Sequence, residues 1–244
     1  GGSVPIAGDN IVIPLGKTVI WDVVTPALGS LTIAGSLIAD TTKDLGLTAK
    51  NVVVSGTWRI GDSEASPYTK NASITINGAM PGTVDPTATA RSIQITGNCD
   101  FYGIMPVTFA KLSATAESAA TSLTLDTATG WKSGDRVAIA PTTWYGASNT
   151  DERILSADAS GASVSLTVGV SARRWGQMQY VTDAGLSLTP GTLTKSAATP
   201  TIDWDATPKT IDERAEVINL TRNIVIQAPN DSDFTTNGFG VHTM

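Results

Sequence analysis

Residues 31–40 read LTIAGSLIAD. Leu31 and Ile33 alternate with smaller neighbours, the run closes on Gly35, and a second short run follows at once. Alternation with a period of two marks a half-buried strand. A glycine at its end permits a corner where a Cβ would clash. The same shape recurs as VVVSG (52–56), ITING (74–78) and IQITG (93–97), and TWRIG and NCDFYG repeat the second run. The closing residues Gly35, Gly56, Gly78 and Gly97 stand roughly twenty residues apart.

Helical periodicity is nearly absent. A strand–glycine–strand repeat predicts an all-β fold: a parallel right-handed β-helix or β-solenoid, each coil giving one strand to each of two or three sheets. The four glycines are then its structural corners. A sandwich with evenly spaced strands is the alternative, and the scarcity of hairpin turns argues against it. The middle differs. TSLTLDTATGWKSGDRVAIAPTT (121–143) reads as strand, turn, strand with Trp131 under the turn, and residues 151–170 add two strands around Gly161. These predict a small inserted antiparallel β lobe. Residues 171–210 are rich in Thr, Ser and Pro and are expected as a long loop, after which Ile224-Val225-Ile226 returns to the coil with Ile224 and Ile226 facing the core. The expected organisation is solenoid coils over 1–110, lobe and loop over 111–210, and a returning β-helix over 211–244.

The 244 residues are 41% hydrophobic and 16% charged, enough apolar content for a core and too little charge for a disordered chain. Net charge is −6, the pI is about 4.7, and Lys and Arg form no cluster, which makes nucleic acid and anionic membrane poor partners; no nucleic acid and no membrane insertion are expected. No apolar run reaches the ~18–20 residues of a membrane span. The one cysteine, Cys99, reads as a small buried hydrophobe. The opening Gly1-Gly2-Ser3 and the close at GFGVHTM suggest a piece of a longer protein.

VPIAGDNIVIPLGKTVIWDVVTPALGSLTIAGSLIAD (4–40), followed by Trp58, Ile60, Gly61, Pro67 and Tyr68, resembles the G8 domain, a family named for its recurring glycines. GWKSGDRVAIAPT (130–142) resembles the segment after that domain. DERAEVINLTRNIVIQ (212–227) and GFGVHTM (238–244) resemble the entry to the right-handed parallel β-helix that follows it in longer members. The sequence departs from the family at Ile218-Asn219, where Gly-Leu is usual, and at Ala228, where Gly is usual. The resemblance implies an extracellular or cell-surface module. Such modules occur in hyaluronan-binding or hyaluronan-degrading surface proteins and in bacterial and phage proteins, with polysaccharide contact as the common thread. It implies no catalytic residue.

The candidate sites come from the residues themselves. Two DER triplets, 151–153 and 212–214, supply carboxylates. Glycosidases need two carboxyl groups at a set separation, so Asp212, Glu213 and Glu216 are candidates, with His242, the only histidine, as a base. The structural alternative is ion-paired residues at strand starts, with Arg214 pairing a neighbouring carboxylate, and it is favoured because nothing fixes their distance. Exposed aromatics stack on the apolar faces of sugar rings, which makes Trp144, Tyr145 and Trp175 glycan-binding candidates against a packing role in the lobe. One His and one Cys exclude a zinc site, NDSD (230–233) lacks the spacing of a calcium loop, and no cofactor is implied. The leading expectation is a non-catalytic extracellular, cell-surface or virion module that contacts polysaccharide. A phage tail fibre or tailspike component, and the N-terminal part of a polysaccharide hydrolase or lyase, are the alternatives. A downstream β-helix or a homo-oligomer would cap the open end of the stack.

Overall fold

A computed structural model describes residues 4–80, 91–143, 150–182, 185–189 and 209–243. The chain forms two compact units, Gly1–Ile104 with Arg222–Met244, and Met105–Thr221. Both are built almost wholly of strands, and the fold is all-β.

In the first unit the strands follow one another as β1 (Asn10–Ile13), β2 (Thr18–Trp21), β3 (Val24–Leu28), β4 (Ser30–Ile33), β5 (Ser36–Ala39), β6 (Leu45–Ala49), β7 (Val52–Val54), β8 (Thr57–Ile60), β9 (Ala72–Ile76), β10 (Ser92–Ile95) and β11 (Asn98–Phe101). They are dealt in rotation to three sheets, in which all the pairs are parallel: β1-β4-β7-β10, β2-β5-β8-β11 and β3-β6-β9. Apolar residues of equal phase therefore stack. Leu31, Val52 and Ile93 fall in one row, and Leu47 and Ile74 in another. Trp58 lies between Leu37 and Cys99 in the second sheet, its ring edge-on to Phe101 at 5.0 Å and 6.5 Å from Trp21. These rows make one core in which Ile33, Val52, Val54, Trp58, Ile60 and Ile74 are wholly buried. Each such side chain stabilises the fold by about 1.5–3 kcal/mol. Cys99 is half-buried against this core, and burial, with Asp100 adding to it, pushes its thiol up to about 11.

Three of the four glycine-closed runs fall in the first sheet, as β4, β7 and β10. The fourth, ITING, does not: it is β9 of the third sheet. A β-branched run closed by glycine has the same appearance in every sheet, and extra chain on either side of β9 produced the false regularity.

The second unit contains β12 (Phe109–Lys111), β13 (Ser122–Thr124), β14 (Arg136–Ile139), β15 (Asp151–Ile154), β16 (Ser163–Ser165), β17 (Gln179–Thr182), β18 (Gly185–Ser187), β19 (Lys209–Ile211) and β20 (Glu216–Asn219). All its pairs are antiparallel: β12-β20-β14-β15, β13-β16 and β18-β17-β19. It has its own core, with Leu112, Trp131, Val137, Ile139 and Val217 buried. Trp131 sits beside the turn at Gly134 (φ 89°), and its indole N–H donates to the Val107 carbonyl at 2.6 Å.

The chain then rejoins the parallel sheets through β21 (Ile224–Gln227), the helix α1 (Ser232–Asn237) and β22 (His242–Thr243). β21 pairs with β9, and β22 with β10. Ile224 packs on the core as expected, but Ile226 is 40% exposed. β21 is the outermost strand of its sheet, so nothing in that sheet covers the far side of Ile226. Among the described residues no helix is long and apolar enough to cross a membrane.

Candidate functional site

The 212–216 stretch is the corner between β19 and β20. Pairing of β20 with β12 sets Lys111 opposite Glu216, which brings the Lys111 ammonium within 3.0 Å of Asp212 and 3.8 Å of Glu216. Arg214 turns back onto Asp212 as a fork, Nε at 2.8 Å and Nη2 at 3.1 Å. Its Nη1 lies 3.3 Å from Asp126, which also accepts the Lys111 backbone N–H at 3.0 Å. Lys111, Asp212, Arg214 and Asp126 thus form a linked set of alternating charges. The forked bond from Arg214, aided by Lys111, holds the Asp212 carboxyl far below the usual carboxylate range, and Asp212 raises the guanidinium in turn. This downward shift is the opposite of the raised one that the general acid of a glycosidase needs.

The other DER triplet is bound more deeply. Asp151 and Arg174 are buried, and the Asp151 carboxylate accepts from Arg174 Nη2 at 2.6 Å, Arg153 Nη2 at 2.5 Å and the Ser171 backbone N–H at 3.0 Å. Burial alone would raise its affinity for a proton. The bonds from Arg174 and Ser171 outweigh burial and hold it below the ordinary range. Glu152 pairs with Arg136 on the surface.

Two shallow grooves flank Arg214. One, of about 420 Å³, is lined by Ala140, Pro141, Thr142, Thr143, Glu213, Arg214, Ala215 and Glu216. The other, of about 290 Å³, is lined by Ser113, Gly176, Gln177, Met178, Tyr180, Leu188 and Arg214. Trp175 is tied to both: its backbone N–H donates to Thr142 Oγ1 at 3.0 Å, and its carbonyl accepts from Ala215 N at 2.7 Å. Its half-buried indole donates to the Gln177 carbonyl at 2.6 Å, and the Arg173 guanidinium lies over the ring at 5.3 Å. The fold therefore brings Trp175 to the Asp212, Glu213 and Glu216 corner. Trp144 and Tyr145 follow the groove residue Thr143 in sequence but lie outside the described residues.

His242 belongs to the first unit, whereas Asp212, Glu213 and Glu216 belong to the second. It is exposed on β22, its ring 5.1 Å from that of Phe239. Asp231 and Asp233, from the NDSD stretch, serve Arg91. Arg91 is fully buried and donates to Asp231, to Asp233 at 3.5 Å, and to the carbonyls of Gly78 and Phe239. Asp231 also caps α1 by accepting from Phe234 N at 3.1 Å. Gly35, Gly56 and Gly97 stack on one another. A Cβ on Gly56 would stand 2.0 Å from the Gly35 carbonyl oxygen, and one on Gly97 would stand 2.2 Å from that of Gly56. Gly78 lies two residues beyond β9, and its carbonyl accepts from Arg91 Nε.

Sequence reasoning missed Lys111, Asp126, Arg91 and Arg174. Each acts over a long separation in the chain, which no local motif reveals. The one available signal was rarity: in a chain with 16 basic residues, an Arg beside apolar or small neighbours has to find a carboxylate.

These features define a β-rich module in which Asp212 and Asp151 are each held by two cations. Residues 1–113 match the family model of the G8 domain. The chain is also similar to Fibrocystin-L of Homo sapiens and of Mus musculus, 30% identical over 240 residues in each case, covering 96% of this chain and 5% of the relative. Fibrocystin of Canis lupus familiaris is 30% identical over 161 residues, 64% of this chain and 4% of the relative. The chain thus spans about one-twentieth of the length of the Fibrocystin-L proteins it matches.

Proposed function

We propose that this chain is a non-catalytic recognition module of a larger extracellular or cell-surface protein. Its first unit is a right-handed parallel β-solenoid, and its second is an inserted antiparallel lobe that contacts polysaccharide. The G8 match and the similarity to Fibrocystin-L along 96% of the chain support the setting. The rotation of parallel strands through three sheets supports the solenoid. Further β-helix or a second copy covers its outermost strands, a need that the exposure of Ile226 supports.

The observation that carries the non-catalytic reading is the linked set Lys111–Asp212–Arg214–Asp126. It fixes a corner of the lobe and leaves Asp212 ionised. Sugar contact falls to the grooves beside it: Tyr180 and Gln177 line one, and Trp175, bonded to Gln177, adds an aromatic body next to them. Glycan-array binding tests this. Retention of an oligosaccharide that is lost on Trp175→Ala, with the fold kept, is the expected result, and a full array of glycans without retention counts against it. No observation favours the tail-fibre reading.

A further inference from the structure

Three Asn-x-Ser/Thr triplets occur: Asn71-Ala72-Ser73, Asn219-Leu220-Thr221 and Asn230-Asp231-Ser232. This triplet is the acceptor for N-glycosylation whenever x is not proline. The fold separates the three. Asn219 is 1% exposed. Its Nδ2 donates to Asp135 at 2.9 Å, and its Oδ1 accepts the Thr221 backbone N–H at 2.7 Å. Thr221 Oγ1 in turn accepts from Arg136 N at 2.8 Å. Both reading elements of that triplet are consumed by the lobe, and a sugar on Asn219 Nδ2 has no way out of the core.

The other two stand at the surface of the parallel unit. Asn71 is exposed at the corner that opens β9. Its main chain is held by Asp44 Oδ1, which accepts from Asn71 N at 2.8 Å, and by Leu45 N, which donates to the Asn71 carbonyl at 2.8 Å. Its Nδ2 makes only a long 3.3 Å bond to Asp44 Oδ1. A glycosylated amide keeps one N–H, enough for that bond. Asn230 is exposed one residue before Asp231, the cap of α1.

We propose that Asn71 and Asn230 are N-glycan attachment sites and that Asn219 is not, a proposal resting on the extracellular reading above. The co-reactant is a lipid-diphosphate-linked oligosaccharide. Asn Nδ2 bonds to the anomeric carbon, the bond from that carbon to the diphosphate oxygen breaks, one amide proton is lost, and the lipid diphosphate leaves. The sugar shields the parallel unit at Asn71 and Asn230.

The test is to express the full chain behind a cleavable signal peptide in a eukaryotic cell line. N-glycans are then released enzymatically in heavy-oxygen water, and peptides are mapped from both medium and cell extract. Heavy-oxygen Asp at 71 and 230, with unlabelled Asn at 219, is the expected result. Label at 219 in secreted, folded protein overturns the selection by burial, and a missing label at 71 or 230 overturns the assignment of that residue. Glycan transfer precedes export, so label at both residues in protein retained by the cell leaves the sites standing and counts against the extracellular reading. Secretion without label does the reverse.

Discussion

At Gly56 the backbone passes so close to that of Gly35 and Ala34 that only hydrogen fits. A Cβ there would meet the Gly35 oxygen at 2.0 Å and the Ala34 oxygen at 2.5 Å, and both obstacles are main chain. Gly56→Ala is expected to destabilise the parallel unit by about 1–3 kcal/mol, the cost of forcing atoms into a packed site, read as a lowered midpoint in urea. Gly240→Ala, where a Cβ meets nothing within 4 Å, serves as the control and should shift stability by less than about 0.5 kcal/mol. The buried Asp151–Arg174 pair makes a second residue-scale prediction. The folded carboxyl lies below its unfolded value of about 3.9. Its stabilising contribution is therefore complete above that value and is lost as pH falls through the folded one. Asp151→Asn should cost about 3–5 kcal/mol at neutral pH, because it leaves Arg174 buried without its counter-charge. The variant should also have a flatter stability profile between pH 5 and pH 2 than the parent; an unchanged slope would show that Asp151 is not the group concerned.

Among the elements, α1 and β22 are tied to the parallel sheets by the Arg91 side chain as well as by the pairing of β22 with β10. Arg91 joins Gly78, Asp231, Asp233 and Phe239, and its own carbonyl accepts from His242 N at 2.8 Å. Arg91→Ala should raise hydrogen exchange across residues 232–243 while the amides of β4 and β7 keep their protection; equal protection in parent and variant would contradict the clamp. The strands themselves were legible in the sequence. β4, β7, β8, β10 and β11 follow from period-two patterning closed by glycine, β5 from the same patterning ahead of Asp40, and the turn above Trp131 from Ser133-Gly134-Asp135. Sheet membership was not legible for β9, because ITING carries the local signature of the first sheet while its register belongs to the third. Nor could the exposure of Ile226 be read, since period two gives the face of a strand and not whether another strand lies beyond it. At the site, Arg214 pairing with Asp212 was foreseeable from two residues of separation. Lys111 and Asp126 were not, because strand pairing rather than sequence brings them there.

Across the whole molecule, two cores of different architecture share one chain, a parallel one and an antiparallel one. The chain is a small part of the length of its Fibrocystin-L relatives, and it combines low charge with closely packed rows of apolar residues. Of the carboxylates that would suggest a glycosidase, Asp212 is held by Arg214 and Lys111 at a corner of the lobe. Incubating the protein with a panel of end-labelled polysaccharides, hyaluronan among them, and reading both retention and chain length separates the two uses of that corner. The account predicts retention of at least one polysaccharide at unchanged chain length, with Glu213→Gln and Glu216→Gln leaving that chain length unchanged. Shortening of any polysaccharide by the parent protein, abolished in either variant, would contradict it.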